Sequence, residues 1–189
     1  KYELKKAGLS KDAAAVIGVG LGGTAIAAME QGRIDAAVML DPAVTILQSK
    51  YKDLKLLVDT RTEADTKKAF GGAYPGGAFY TKASWLQAHP KEAEGLVKAM
   101  LSTLDWIHSH SPKEIMEKMP PEMVGNDKQA YLAALKNTIP MYSKTGLMDP
   151  KGAQAVLDVF SVGSPDVAKA NIDVTSTYTN KFVKEANGK

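Results

Sequence analysis

The chain has 189 residues, 44% of them hydrophobic, with 24 basic and 21 acidic side chains and a formal charge of +3. That is a globular balance: no apolar run reaches membrane-spanning length, and so small and dispersed a charge argues against a nucleic-acid surface. Cysteine is absent, which excludes disulfide frameworks, thiolate metal sites and cysteine nucleophiles and leaves the compartment open.

The opening KYELKKAGLS reads as the last turns of a helix closed by Gly8. With no signal peptide and no initiator methionine, the chain is expected to be a piece of a longer protein whose N-terminal part is missing. Ala14 to Val19 is a short apolar run expected as a strand. Gly20 to Gly23 break it, and Thr24 to Gln31 carries Ala25, Ala28 and Met29 at helical spacing before Gly32, a C-cap signal. Ile34 to Leu40 is apolar at nearly every position, as expected of a parallel strand covered on both faces. Asp41-Pro42 then reads as an N-cap with proline at the first helical position, opening a helix to Lys50 with Val44 and Leu47 on one face.

Leu54 to Val58 is expected as a third strand, ending at Asp59. Thr60 to Gly77 turns polar and then glycine-rich, as a connection between lobes should, and Ala78 to Lys82 reads as a further strand. From Ser84 onward the pattern is helical. His89-Pro90 marks a break before a long amphipathic helix, Glu92 to His110, through Leu96, Met100, Leu104 and Ile107. Ser111-Pro112, Asp127 and Asp149-Pro150 each signal a new helix, and Thr175 to Ala186 is expected as the last, with Tyr178 and Phe182 four apart. The expected fold class is therefore α/β. A strand-rich part, residues 1–62, a connection over 63–77 and a helical remainder, 78–189, are expected to form two lobes of unequal completeness.

Ligands of open α/β sheets bind beyond the carboxyl ends of the strands, and this reading puts Gly20, Leu21, Gly22, Gly23, Thr24 and Asp41 at that edge. Glycines admit a ligand to the backbone, and the free N–H groups at a helix start favour an anion. Gly18, Gly20 and Gly23 also match G-x-G-x-x-G, with Asp41 where a ribose-binding acid would sit, so a nucleotide-dependent oxidoreductase is an alternative. Against it, the following helix is only about two turns long and too few strands follow for a second nucleotide-binding half. His108 and His110 point to different faces of one helix and cannot share a metal by i, i+4 geometry, and His89 lies in a helix break. Asp35 lies at an amino end, away from Asp41 and Asp59, so no acid–base pair forms. Binding without catalysis, metal or cofactor is the expectation.

The run KKAGLSKDAAAVIGVGLGGTAIAAMEQGRIDAAVMLDPAV resembles the second lobe of the solute-binding proteins of nitrate-, sulfonate- and taurine-type ABC importers, a family that includes the thiamine-pyrimidine synthase-like proteins. Its most specific part is Gly23, Ala27, Ala28, Gly32, Asp35, Ala36 and Ala37. The segments LKLLVDT, GAFYTKASWLQAHPKEAEGLVKAMLSTLDWI and TSTYTNKFVKEA extend the similarity over nearly the whole chain. The resemblance implies a periplasmic-binding-protein type II-like fold, with two lobes of parallel or mixed sheet and flanking helices, in which 1–62 are part of the second, inserted α/β lobe, 63–77 the inter-lobe crossing and 78–189 the C-terminal helical part of the first lobe. It implies capture, in the periplasm or at the outer membrane face (lipid-anchored in a Gram-positive cell), of a small anionic or polar solute such as a sulfonate, taurine or nitrate, and delivery to a membrane permease. Tyr74, in the Tyr74-Pro75-Gly76-Gly77 crossing, joins the ligand contacts on this view, with Asp59 and Arg61 near the hinge. Many members carry an aromatic and a glutamate where this chain has Leu40 and Asp41 before Pro42. An enzyme of pyrimidine synthase-like type is a second alternative, and it needs a histidine at the cleft.

Overall fold

Local stop and start signals set most of the helices in the computed structural model, which describes residues 1–188. Helix α1 (Tyr2–Lys6) ends with Gly8 at φ 76°; Gly8 N–H donates to the Lys5 carbonyl and Leu9 N–H to that of Leu4, the paired bonds of a Schellman stop. Helix α2 (Gly23–Glu30) stops the same way, with Gly32 N–H on Met29 and Arg33 N–H on Ala28. Helix α3 (Ala43–Lys50) begins one residue later than the Asp41-Pro42 pair predicts. Pro42 is its N-cap, and Asp41 caps from one position upstream, Oδ1 accepting from Thr45 N–H and Oγ1.

Helix α4 (Glu63–Phe70) falls in the expected inter-lobe crossing. Its start is fixed by the Thr62 hydroxyl accepting from Asp65 N–H and its end by Gly71 in the left-handed region. Lys6 Nζ donates to the carbonyls of Lys68 and Ala69 at its C-terminus, where a cation meets the negative end of the dipole. Helices α5 (Ala83–Ala88) and α6 (Pro90–Ser109) are separated at His89-Pro90 as the sequence predicts. Ser111 and Glu114 form a full capping box on α7 (Pro112–Lys118), followed by α8 (Pro121–Val124). Asp127, Asp149 and Ser164 cap α9 (Lys128–Thr138), α10 (Pro150–Gly163) and α11 (Pro165–Lys169). The tail departs from expectation: Val174–Ser176 is a 3-10 turn, and α12 spans only Lys181–Ala186, leaving Tyr178 outside any helix.

The expected α/β fold class is overturned. The structure is all-helical, with no residue of the described chain in a strand and no sheet. The four apolar runs expected as strands lie outside helices, yet no backbone hydrogen bond joins them. A strand exists only when a neighbour closes its ladder of N–H and C=O groups, and none of these runs meets another in register. Nor is Ile34 to Leu40 covered on both faces: Val38 is 84% and Leu40 62% exposed. The two-lobe sheet architecture accordingly does not describe this structure.

The core lies between helices and is built from small side chains. Among the described residues, seven of its ten buried apolar side chains are alanines, joined by Leu47, Ile115 and Val183. Helix α3 packs on α2 and α9, α9 on α7, α6 on α12 and α5, and α10 on α1 and α11. Glu30 Oε1 accepts from Lys50 Nζ at 3.1 Å and Tyr51 OH at 3.0 Å, fastening the end of α3 to α2. Asn180 pairs with the backbone of Met148 in both directions, donating to its carbonyl and accepting from its N–H. No helix is long and apolar enough to cross a membrane among the described residues.

Candidate functional site

The turn from Gly18 to Thr24 enters α2 through a bare backbone. Gly20 has φ 79°, a left-handed conformation that a side chain resists, and a Cβ there would lie 2.5 Å from Thr24 Oγ1. The Thr24 hydroxyl donates to the Val19 carbonyl at 2.7 Å, so it locks the turn rather than offering its proton to a ligand. Nothing lies within 4 Å of where a Cβ would stand at Gly18, Gly22 or Gly23. The N–H groups of Gly22, Gly23 and Thr24 find no acceptor among the described residues. Leu21, at 53% exposure, projects from the turn.

Ile17, Gly18, Gly20, Thr24, Ala28 and Arg33 line an open concavity of about 430 Å³ here. Arg33 is the residue that sequence reasoning missed. It follows the Gly32 stop and reads as an ordinary cation near a helix end, but the Schellman turn folds it back beside the glycine turn that precedes the same helix. Among the described residues it makes no ion pair, and α2 has no acidic residue in its first turn. Unpaired N–H groups, the positive end of a helix dipole and a guanidinium together suit an anion.

Asp41 sits elsewhere in the electrostatics. Its side chain is only 2% exposed; Oδ1 is used by Thr45, and Oδ2 is buried with no hydrogen bond, facing Arg61 Nη1 at 3.6 Å. Arg61 grips Asp59 with both sides of its fork, Nε to Oδ1 at 2.9 Å and Nη2 to Oδ2 at 2.6 Å, and reaches Gln48 Oε1 at 3.4 Å. The guanidinium bonds hold the Asp59 carboxyl below its usual 3.8, outweighing the partial burial that opposes them. A depressed folded value means that the pair's stability is present above the unfolded value and is lost as pH falls through the folded one. We expect Asp59→Asn to cost about 0.5–1 kcal/mol at pH 7, for so partly exposed a pair, and progressively less as pH falls below 3.8 and through the depressed folded value. Urea midpoints of both proteins across pH 2.5–7 check this.

Tyr74 belongs to an aromatic group, its ring 4.6 Å from that of Phe70, which in turn lies 5.9 Å from Tyr2. Burial raises the pKa of its phenol. The structure thus brings Gly20 and Thr24 together around one concavity with Arg33, leaves Leu21, Gly22 and Gly23 outside its lining, places Asp41 in an ion cluster with Asp59 and Arg61, and packs Tyr74 against α4.

No family model matches the chain, and no curated protein matches it. A solved protein structure from Bordetella bronchiseptica RB50 is similar, with 33% identity and a TM-score of 0.88. The match covers 99% of this chain and 58% of that one, so the chain spans 58% of the length of the protein it matches.

Proposed function

We propose that the intact protein captures a small anion, such as a sulfonate, taurine or nitrate, and releases it chemically unchanged. The observation that carries this reading is the unpaired N–H of Thr24 at the start of α2, in one open concavity with Gly18, Gly20 and Arg33, next in the chain to the unpaired N–H groups of Gly22 and Gly23. Such a site can neutralise an acid head group through backbone dipoles and one guanidinium, and backbone N–H groups bind tetrahedral and planar oxyanions alike. The resemblance of the Gly23 to Ala37 pattern to solute-binding proteins of ABC importers supports delivery to a membrane permease from an extracytoplasmic compartment. Asp41 serves by holding Arg61 and the start of α3.

The test is titration calorimetry of the intact protein with nitrate, taurine and short alkyl sulfonates, repeated on Gly23→Ile. Gly23 already has helical backbone and open space, so the variant should melt within about 2 °C of the parent, as expected for a surface substitution costing under about 0.5 kcal/mol. Its new branched side chain shields the free N–H groups, and the affinity should fall at least about tenfold, a loss of about 1.4 kcal/mol. Equal affinity in the two proteins, or a chemically altered ligand recovered by mass spectrometry, defeats the proposal.

A further inference from the structure

A folded monomer of this mass exposes about 8,700 Å² by the usual scaling of surface with size. This chain exposes 13152 Å², an excess of about 4,400 Å² over that scaling. A standard stable interface takes about 800 Å² from each partner, so the excess is several interfaces' worth. The most exposed large apolar side chains lie on the non-helical apolar runs, where Val16 is 72%, Ile17 61%, Val38 84%, Leu57 82%, Phe79 67% and Tyr80 96% exposed.

Neighbouring residues in these runs, Val16 with Ile17 and Phe79 with Tyr80, are exposed together. In an extended segment successive side chains point to opposite faces, so a cover must reach both. One docked helix cannot do that. A second feature is the backbone: these runs have no hydrogen bonds to one another, which leaves N–H and C=O groups open to an added strand.

We infer that the four runs, residues 14–19, 34–40, 54–58 and 78–82, are the docking surface for a folded layer of polypeptide from the same protein outside residues 1–189. That layer is the counterpart of the part of the Bordetella protein that lies beyond the 58% matched here. The size calls for a large partner: covering about 4,400 Å² on this chain buries about twice that over both sides, more than the roughly 2,000–5,000 Å² total of most obligate interfaces, which fits a layer of domain size belonging to the same protein. The 189 residues by themselves remain helical, and the pairing lies between them and the added polypeptide. The first run shares Ile17 and Gly18 with the rim of the anion concavity, but the inference uses neither Arg33 nor the α2 N-terminus, and its test substitutes neither.

To test it, the chain is expressed alone and together with the unmatched part of the Bordetella protein as a separate polypeptide, and both preparations are analysed by light scattering and amide hydrogen exchange. The expected result is a 1:1 complex in which amides of the four runs exchange at least about 100-fold more slowly than in the chain alone, as paired backbone does. Val38→Lys with Leu57→Lys, at sites that solvent already reaches, should leave the helical circular dichroism of the lone chain unchanged and reduce the yield of complex at least about tenfold. A monodisperse lone chain that gains no protection on co-expression overturns the inference. So does a homodimer with the same four runs protected, which assigns the surface to a second copy.

Discussion

Replacing Arg61 by alanine should destabilise the intact protein by about 3 kcal/mol, among the largest effects of any single side-chain truncation in it. The guanidinium is the only cation facing Asp41 Oδ2, an atom that is buried and has no hydrogen bond of its own among the described residues. Removing the arginine strands that carboxylate and also releases Asp59 from a two-pronged grip. An uncompensated buried charge costs far more than a surface ion pair contributes. Arg61→Lys should recover only part of the loss, since an ammonium cannot reproduce the planar fork. Urea unfolding of Arg61→Ala, Asp41→Asn and the double variant gives the decisive comparison. If the double variant loses less than the sum of the singles, Asp41 and Arg61 act on each other; strict additivity refutes the coupling.

Gly152→Val should cost about 2–3 kcal/mol by overpacking. A Cβ at Gly152 would stand 2.9 Å from the Ala73 carbonyl oxygen and 3.1 Å from Pro75 Cδ. One at Gly72 would stand 3.3 Å from the Lys151 carbonyl oxygen. The first turn of α10 and the loop after α4 therefore approach backbone to backbone, and neither side has a flexible side chain to yield. Gly163→Ala, at the far end of the same helix where nothing lies within 4 Å, is the control and should stay within about 0.5 kcal/mol of the parent. Matching melting temperatures for Gly152→Val and the control would show that the two segments separate freely in solution.

What the sequence discloses here is what short range decides. Gly8, Gly32, His89-Pro90, the Ser111 and Glu114 box, Asp127 and Asp149-Pro150 all mark helix ends where the structure has them, because each signal acts through bonds within one turn. Helix α4 escapes because its apolar periodicity is weak, although Thr62 with Asp65 and the Glu63–Lys67 pair were visible in the sequence as start and support signals. The sheet fails for the opposite reason: apolar β-branched runs signal a preference, whereas a ladder needs partners that local composition cannot supply. Of the site, the glycine turn is legible and Arg33 is not, since its approach to the turn depends on the helix between them. The contact of Tyr74 with Phe70 likewise depends on α4, which was not expected to exist.

The alanine-built core has a consequence for which substitutions the protein can accept. Where Ala25, Ala28, Ala43, Ala69, Ala93, Ala134 and Ala155 meet their neighbours, there is almost no side chain left to remove. The familiar penalty of a hollowed interior therefore applies at few positions, chiefly Leu47, Ile115 and Val183. At the alanines every change other than glycine adds volume to a contact between helices, and crowding there forces off-rotamer side chains and backbone shifts. Mutational tolerance is thus lopsided: drift toward larger residues is closed at the helix contacts and open along the exposed apolar runs, for as long as nothing covers them.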